Sequence, residues 1–241
     1  MYYNISINTS NEGKTNMKQA AGDYQAEFDN VNNLKNKMVA SPLQLQLKLD
    51  QAFVKVEEET MDCVYRAYLW QAFAGIANDY DALDVETADI DLYDMVIRRN
   101  DETYQLYKEA KDTFDKACRL ESFVFKHPNY TIRRDRVAGA KLIRGVKVDN
   151  IKISTIRSLV CRKFKAIGFE TSYSRIYQSG IFYRVYEKER AGLPIDFSDV
   201  IARKMKSNDY KISEKQTVAV ITGQIKRALL ADYIKWKQAF N

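Results

Sequence analysis

The side chains that most often carry acid–base, nucleophilic or metal chemistry are sparse in this chain. Its single histidine, His127, has no second histidine with which to form a metal-binding pair. The three cysteines, Cys63, Cys118 and Cys161, are widely spaced and form no C-x-x-C motif. Such spacing favours buried thiols in a reducing compartment. These residues predict neither a catalytic triad nor a zinc site, and we expect a protein that is not an enzyme and needs no cofactor or metal.

A cluster of carboxylates between residues 79 and 94 suggests a cation site, but its spacing argues against one. A calcium loop of the EF-hand type requires D-x-D-x-D-G and a glutamate at its twelfth position. Leu83 stands where the third ligand is needed, and the segment contains no glycine. The cluster therefore predicts a solvated acidic turn or a docking patch for a basic partner. The patch would comprise Asp79, Asp81, Asp84 and Asp89.

Charge is distributed very unevenly along the sequence. Residues 1–125 carry 13 Lys and Arg against 22 Asp and Glu, whereas residues 126–241 carry 25 against 10. The overall charge of +6 thus conceals an acidic first half and a basic second half. Such an asymmetry indicates the kind of partner rather than the kind of fold. The chain contains neither G-x-x-x-x-G-K-[ST] nor G-x-G-x-x-G, so no nucleotide-phosphate loop is predicted.

Positive charge is densest in residues 126–167, where twelve Lys and Arg face only Asp135 and Asp149. Guanidinium groups bind phosphate in a bidentate manner, so this segment predicts contacts with nucleic acid. An acidic protein surface is the alternative partner, and the chain's own acidic half is a third. The candidate contact residues are Arg133, Arg134, Arg136, Lys141, Arg144, Lys147, Arg157, Arg162, Lys163 and Lys165.

Residues 154–190 carry a helix-turn-helix-like pattern with Gly168 between two apolar residues in the turn. Phe164 and Ser174 depart from that pattern, because a small and an apolar residue are expected there. The second helix would present Tyr173, Arg175, Tyr177 and Arg184. Aromatic rings interleaved with arginine stack on unpaired bases. The same residues also fit the core and rim of a helix-packing face.

The apolar periodicity predicts long helices in the acidic half. Ser41 and Pro42 predict an N-cap and a first helical residue, with Gln44 completing a capping box. Apolar residues every three or four positions extend this helix to about Ala77 and predict another from about Ala88 to Phe125. We expect the two to form an antiparallel hairpin.

Shorter helices are predicted after residue 150. Ser154, Thr171 or Ser172, and Ser213 are the predicted N-caps, and Gly168 and Gly192 the predicted ends. One further short helix is predicted from about Phe197 to Lys206. The fold class expected is all-α, with one short β-hairpin allowed near residues 130–150.

Three parts follow from composition and periodicity. Residues 1–22 are a flexible polar arm, and 128–241 are a basic helical domain. Residues 23–127 are an acidic, coiled-coil-like unit in which a shorter helix from about Tyr24 to Met38 joins the helical hairpin as a third member. We expect the acidic unit to self-associate or to recruit a protein, giving a homo-oligomer or a larger assembly. No apolar run approaches ~18 residues, so we expect a cytoplasmic protein that does not contact a membrane.

One stretch of the sequence resembles a known family. Phe197-Ser198-Asp199-Val200-Ile201 followed by Lys211-Ile212-Ser213-Glu214-Lys215-Gln216 is similar to helix–SEKQ–helix hairpins of phage and plasmid DNA-processing proteins. The charge layout is similar to that of phage scaffolding proteins, which have a basic helical C-terminal docking segment. The resemblance implies a phage or other mobile element and no catalytic residue.

Three functions are compatible with these patterns. The leading hypothesis is a non-enzymatic nucleic-acid-binding protein. The second is a viral assembly protein, a capsid scaffold or virion component, whose basic region docks on acidic coat proteins. The third is an inhibitor of a host nucleic-acid-processing complex that uses its carboxylates as phosphate mimics.

Overall fold

The structure is a computed structural model that describes three stretches of the chain: residues 31–147, 151–206 and 218–240. The predicted arm at 1–22 and the predicted cap at Ser213 lie outside these stretches. The helix predicted to begin near Tyr24 lies partly outside them, and residues 31–35 are its helical described part.

Helices and strands alternate in the first part of the described chain, and helices alone follow. The helices are α1 Pro42–Ala52, α2 Asp62–Ala74, α3 Asp79–Leu83, α4 Lys111–Arg119, α5 Ile153–Lys165, α6 Tyr173–Arg190, α7 Ser198–Lys206 and α8 Val218–Phe240. The strands are β1 Ile90–Asp91, β2 Val96–Arg99, β3 Glu102–Gln105, β4 Ser122–His127 and β5 Tyr130–Asp135. Short 3₁₀ turns occupy Thr87–Asp89 and Lys108–Ala110. The all-α prediction is therefore wrong: the fold mixes helices with two small antiparallel sheets.

The start of α1 is confirmed, but the long helix predicted to continue to Ala77 is wrong. The Ser41 side chain accepts a hydrogen bond from the Gln44 amide, and the Gln44 side chain accepts one from the Ala40 amide. Helix α1 ends because Phe53 adopts an extended backbone. The Asp62 carboxylate then accepts a hydrogen bond from the Val54 amide at 2.8 Å, which satisfies a backbone donor that a continuous helix would have used.

The second long helix, predicted from Ala88 to Phe125, is replaced by a three-stranded sheet, α4 and β4. Strands β2 and β3 form a hairpin whose two turn residues, Asn100 and Asp101, have φ of 50° and 61°. Asn and Asp tolerate this left-handed region better than other non-glycine residues, and a hairpin of this kind requires it. Side chains alternate between the two faces of each strand here, and the turns between strands shift that alternation. The resulting spacing of apolar residues by three and four positions resembles that of a helix. The antiparallel pair of ~50 Å helices is therefore absent from residues 42–135.

Strands β4 and β5 form a two-stranded ribbon around the turn at Pro128-Asn129. The sequence allows a short β-hairpin near residues 130–150, and of the two observed strands only β5 lies within that range. Residues 137–147 contain no strand, although Glu86 and Lys141 form an isolated antiparallel bridge.

The helices of the second half largely match their predicted limits. Gly168 (φ 70°) ends the turn after α5, where the Phe169 amide donates to the Phe164 carbonyl. Ser172 caps α6, its side chain accepting from the Arg175 amide, and Gly192 (φ 79°) follows the end of α6. The cap predicted at Ser154 is wrong, because α5 begins at Ile153 with no side-chain cap.

The core centres on α2, which is buried along nearly its whole length and packs between α4 and α6. A Cβ at Gly180 of α6 would lie 2.0 Å from the Phe73 carbonyl oxygen of α2, so the two helices meet at backbone contact. Helix α8 packs on α6 and α7, and its Trp236 donates a hydrogen bond to the Val39 carbonyl. Within the described stretches, no helix has the length and apolarity needed to cross a bilayer.

Candidate nucleic-acid interface

Two arginines of the predicted contact set are buried inside the fold. The Arg136 side chain donates hydrogen bonds to four backbone carbonyls, those of Ala117, Leu120, Leu142 and Arg144. Two of these acceptors lie at the end of α4, where a cation also suits the helix dipole. Burial lowers the pKa of Arg136 to about 10. Arg136 therefore holds a loop against α4 and cannot reach a ligand.

Arg144 is the second buried arginine. It bonds to the carbonyls of Val137 and Lys141 and forms an ion pair with Glu121 at 2.8 Å. Its guanidinium thus ties residues 137–144 to the segment between α4 and β4. Its role is structural, like that of Arg136.

Other cations of the set pair with the chain's own carboxylates. The pairs are Arg133–Glu59, Lys141–Asp84, Arg157–Asp79 and Lys163–Asp62. The predicted basic region is thus in large part the complement of the acidic half. Arg134, Lys147, Arg162 and Lys165 have no carboxylate partner within the described stretches.

The predicted acidic patch is mostly neutralised by the same contacts. Asp79 is buried and accepts two hydrogen bonds from Arg157, at 2.6 and 2.8 Å, and one from Tyr68. Asp84 pairs with Lys141, and Asp89 pairs with Arg99 and accepts from the Glu86 amide. Asp81 remains exposed, and partial desolvation raises its pKa. These carboxylates therefore do not form an open docking or phosphate-mimicking surface.

The aromatic residues predicted on α6 face the core. Tyr173 and Tyr177 are buried, and the Tyr173 hydroxyl donates to the Ile76 carbonyl at 2.9 Å. Arg184 donates to the Phe73 carbonyl at 2.6 Å, at the end of α2. Of the four residues predicted to contact a ligand from this helix, only Arg175 is exposed. Helix α6 is a central packing helix, and its two predicted tyrosine side chains are buried.

Helix α5 presents an exposed cationic surface. Residues 151–169 contain no Asp or Glu, and Ile156, Val160 and Phe164 bury the opposite side of α5. The spacing of three and four residues places six exposed side chains on one side. We call them the basic face: Ser154, Arg157, Ser158, Cys161, Arg162 and Lys165.

A groove of about 770 Å³ adjoins the basic face. Arg157 and Cys161 of α5 form one wall, and Ser172 and Ser174 at the start of α6 form another. The first turn of α6 carries amide N–H groups with a partial positive charge, which favours an anion nearby. Asp79, which pairs with Arg157, also lines this groove.

Sequence reasoning missed a second exposed surface, on the β4–β5 ribbon. Cross-strand register places Phe125 opposite Ile132 and His127 opposite Tyr130. Phe123 on the same side is buried in the core, and we call the remainder of that side the aromatic face: Phe125, His127, Tyr130, Ile132 and Arg134. The sequence signal was the alternation on either side of Pro128-Asn129, which the helix-like spacing obscured.

Metal binding has no support in the described stretches, where no three His, Cys, Asp or Glu side chains cluster. No protein-family model, no curated protein and no solved structure matches the chain.

Proposed function

We propose that this protein binds nucleic acid and that the basic face of α5 contacts the phosphate backbone. The observation that carries this proposal is the acid-free segment 151–169, from which Arg162 and Lys165 project without a carboxylate partner among the described residues. Arg134 and Lys147 also lack a carboxylate partner within the described stretches, but they lie outside this acid-free segment.

The chemistry of the basic face suits phosphate. Ser154 and Ser158 add hydroxyl donors between the cations, and hydroxyl, Lys and Arg groups make most backbone contacts in protein–nucleic acid complexes. From Ser154 to Lys165 the face is ~16 Å long, enough to follow several phosphates. Arg157 contributes as well, because its side chain is 54% exposed although it pairs with Asp79.

The rival functions have less support. The scaffold hypothesis relied on a long helical strut, and the longest helix between residues 42 and 135 is α2, with 13 residues. The inhibitor hypothesis relied on a patch of exposed carboxylates, of which Asp79, Asp84 and Asp89 form ion pairs and Asp81 alone does not within the described part of the chain. An acidic protein partner for α5 is retained as an outcome of the test.

The test measures affinity for fluorescent 20-nucleotide probes, single-stranded and duplex, between 50 and 200 mM salt. The double variant Arg162→Gln/Lys165→Gln removes two phosphate contacts, so we expect weaker binding and a log–log salt slope shallower by about two units. The matched control is Lys108→Gln/Lys111→Gln. It removes the same charge from two exposed lysines that lack a carboxylate partner within the described part of the chain.

Three results would contradict the proposal. Absence of binding at 50 mM salt excludes a phosphate contact of this kind. Equal losses in the two double variants would show that net charge, not the basic face, determines affinity. Binding to polyglutamate without binding to either probe would assign the face to an acidic protein.

A further inference from the structure

The aromatic face of the β4–β5 ribbon is exposed although it is largely apolar. Phe125, Tyr130 and Ile132 are 37%, 50% and 45% exposed. They neighbour one another across the two strands, so they form one patch rather than scattered residues. A contiguous exposed apolar patch on a folded chain indicates an interaction surface.

The opposite side of the ribbon is already occupied. Lys126 pairs with Glu58 and Arg133 with Glu59, and the Val124 amide donates to the Glu59 carbonyl at 2.7 Å. Because side chains alternate along a strand, these contacts direct the aromatic face away from the segment at residues 58–59. A two-stranded ribbon is marginally stable alone, and these anchors fix its orientation.

The rings and one cation form a continuous row of π contacts. The His127 and Tyr130 rings are stacked with centroids 4.6 Å apart, and the Tyr130 and Phe125 centroids are 6.4 Å apart. The Arg134 guanidinium lies 4.9 Å from the Phe125 centroid. Flat rings beside a guanidinium provide a stacking platform for planar groups.

The charge of the aromatic face indicates which class of molecule supplies the planar groups that stack on it. The aromatic face carries one cation, Arg134, and no carboxylate, whereas Lys126 and Arg133 lie on the opposite side and pair with Glu58 and Glu59. The same face of a second copy of the chain would bring no carboxylate to pair with Arg134. A polyanion that carries exposed planar groups satisfies both the charge and the rings.

We infer that the aromatic face binds unpaired bases of single-stranded nucleic acid by stacking on Tyr130 and Phe125, with Arg134 close enough to meet phosphate. This inference rests on the proposed function and specifies its ligand, because duplex DNA keeps its bases stacked internally. The basic face of α5 contributes to any nucleic acid, whereas the ribbon discriminates in favour of a single strand.

The experiment compares binding of labelled dT20 and of a 20-base-pair duplex by the full chain and its Tyr130→Ala variant. Base–aromatic stacking contributes about 1–3 kcal/mol per base, so we expect about tenfold weaker binding of dT20 or more, and unchanged duplex binding. Tyr130→Phe should bind dT20 like the wild type, because the ring is retained. Tyr93→Ala is the matched control, since Tyr93 is 97% exposed and lies outside the ribbon.

The outcomes separate this inference from the proposed function. Equal effects of Tyr130→Ala and Tyr93→Ala on dT20, with duplex binding intact, would overturn the ribbon's role and leave α5 as the contact. Loss of a dimer on sedimentation of Tyr130→Ala would assign the face to self-association and also overturn it. If the wild type binds neither probe, the proposed function fails and this inference fails with it. Circular dichroism of each variant verifies that it is folded.

Discussion

At the scale of single residues, identical side chains serve opposite purposes. Arg136 and Arg162 count equally in the charge of the sequence, yet Arg136 bonds to four buried carbonyls whereas Arg162 projects from α5 without a carboxylate partner in the described stretches. The sequence predicts that residues 126–167 are basic. It cannot predict which cations meet carboxylates, because those pairs connect positions up to 101 residues apart, as Lys163 and Asp62 do.

The three thiols should differ sharply in reactivity. Burial raises the pKa of Cys63 and of Cys118 to about 11 in each case, so about one in a thousand of these groups is ionised at pH 8. Cys161 is exposed on the basic face. We expect one rapidly reacting thiol per native chain in a thiol–disulfide exchange assay at pH 8, and three in denaturant.

Nucleic acid bound to α5 should slow the modification of Cys161. The Cys161→Ser variant, which should show no rapid phase, identifies the reacting group. A rapid phase in that variant would show that α2 or α4 opens readily. An unchanged rate under saturating nucleic acid would place the contact elsewhere.

At the scale of elements, local signals gave the helix ends of the second half and long-range pairing decided the first half. Capping by Ser172 and left-handed glycines at positions 168 and 192 depend on neighbouring residues, so sequence alone predicts them. Strand β2 is stabilised by β3 and by β1, and its residues have no comparable local requirement for the extended state. The aromatic face was missed for the same reason, because its members are adjacent only after β4 and β5 pair.

The contact between α2 and α6 predicts opposite effects for two glycine substitutions. Gly180→Ala places a methyl group 2.0 Å from the Phe73 carbonyl oxygen, so the helices must separate and we expect a loss on the order of 3 kcal/mol in the free energy of unfolding. The methyl group added by Gly223→Ala in α8 has no atom of another described element within 4 Å. Alanine also has less backbone entropy than glycine in the unfolded chain, so less is lost on folding. We expect it to stabilise the protein by about 0.5–1 kcal/mol.

Urea denaturation followed by circular dichroism measures both effects of these glycine substitutions. The two variants add the same methyl group to a helical glycine, so intrinsic helix propensity alone would stabilise both. A Gly180→Ala variant as stable as the wild type would show that α2 and α6 are not in backbone contact.

At the scale of the whole molecule, folding cancels part of the charge asymmetry of the sequence. In the described stretches, seven ion pairs join a carboxylate of residues 1–125 to a cation of residues 126–241. They are Glu58–Lys126, Glu59–Arg133, Asp84–Lys141, Glu121–Arg144, Asp79–Arg157, Asp62–Lys163 and Glu102–Arg203. Exposed pairs contribute little free energy each, so their main effect is on the surface potential. Arg162 and Lys165 on the basic face of α5 take part in none of these pairs, and the proposed function is assigned to them.

Contacts between the acidic part (residues 23–127) and the basic part (residues 128–241) predict that the two parts unfold together. The chain has two tryptophans, Trp70 in α2 and Trp236 in α8, and both are fully buried. Helix α2 packs on α6, α6 on α8, and Trp236 donates to the Val39 carbonyl at 3.1 Å, so each probe reports on a core that contains both parts. In Trp70→Phe and in Trp236→Phe, the urea midpoint of tryptophan fluorescence should coincide with that variant's own midpoint by circular dichroism. Independent folding of residues 23–127 and 128–241 would instead give each tryptophan a separate transition, because neither core would depend on the other.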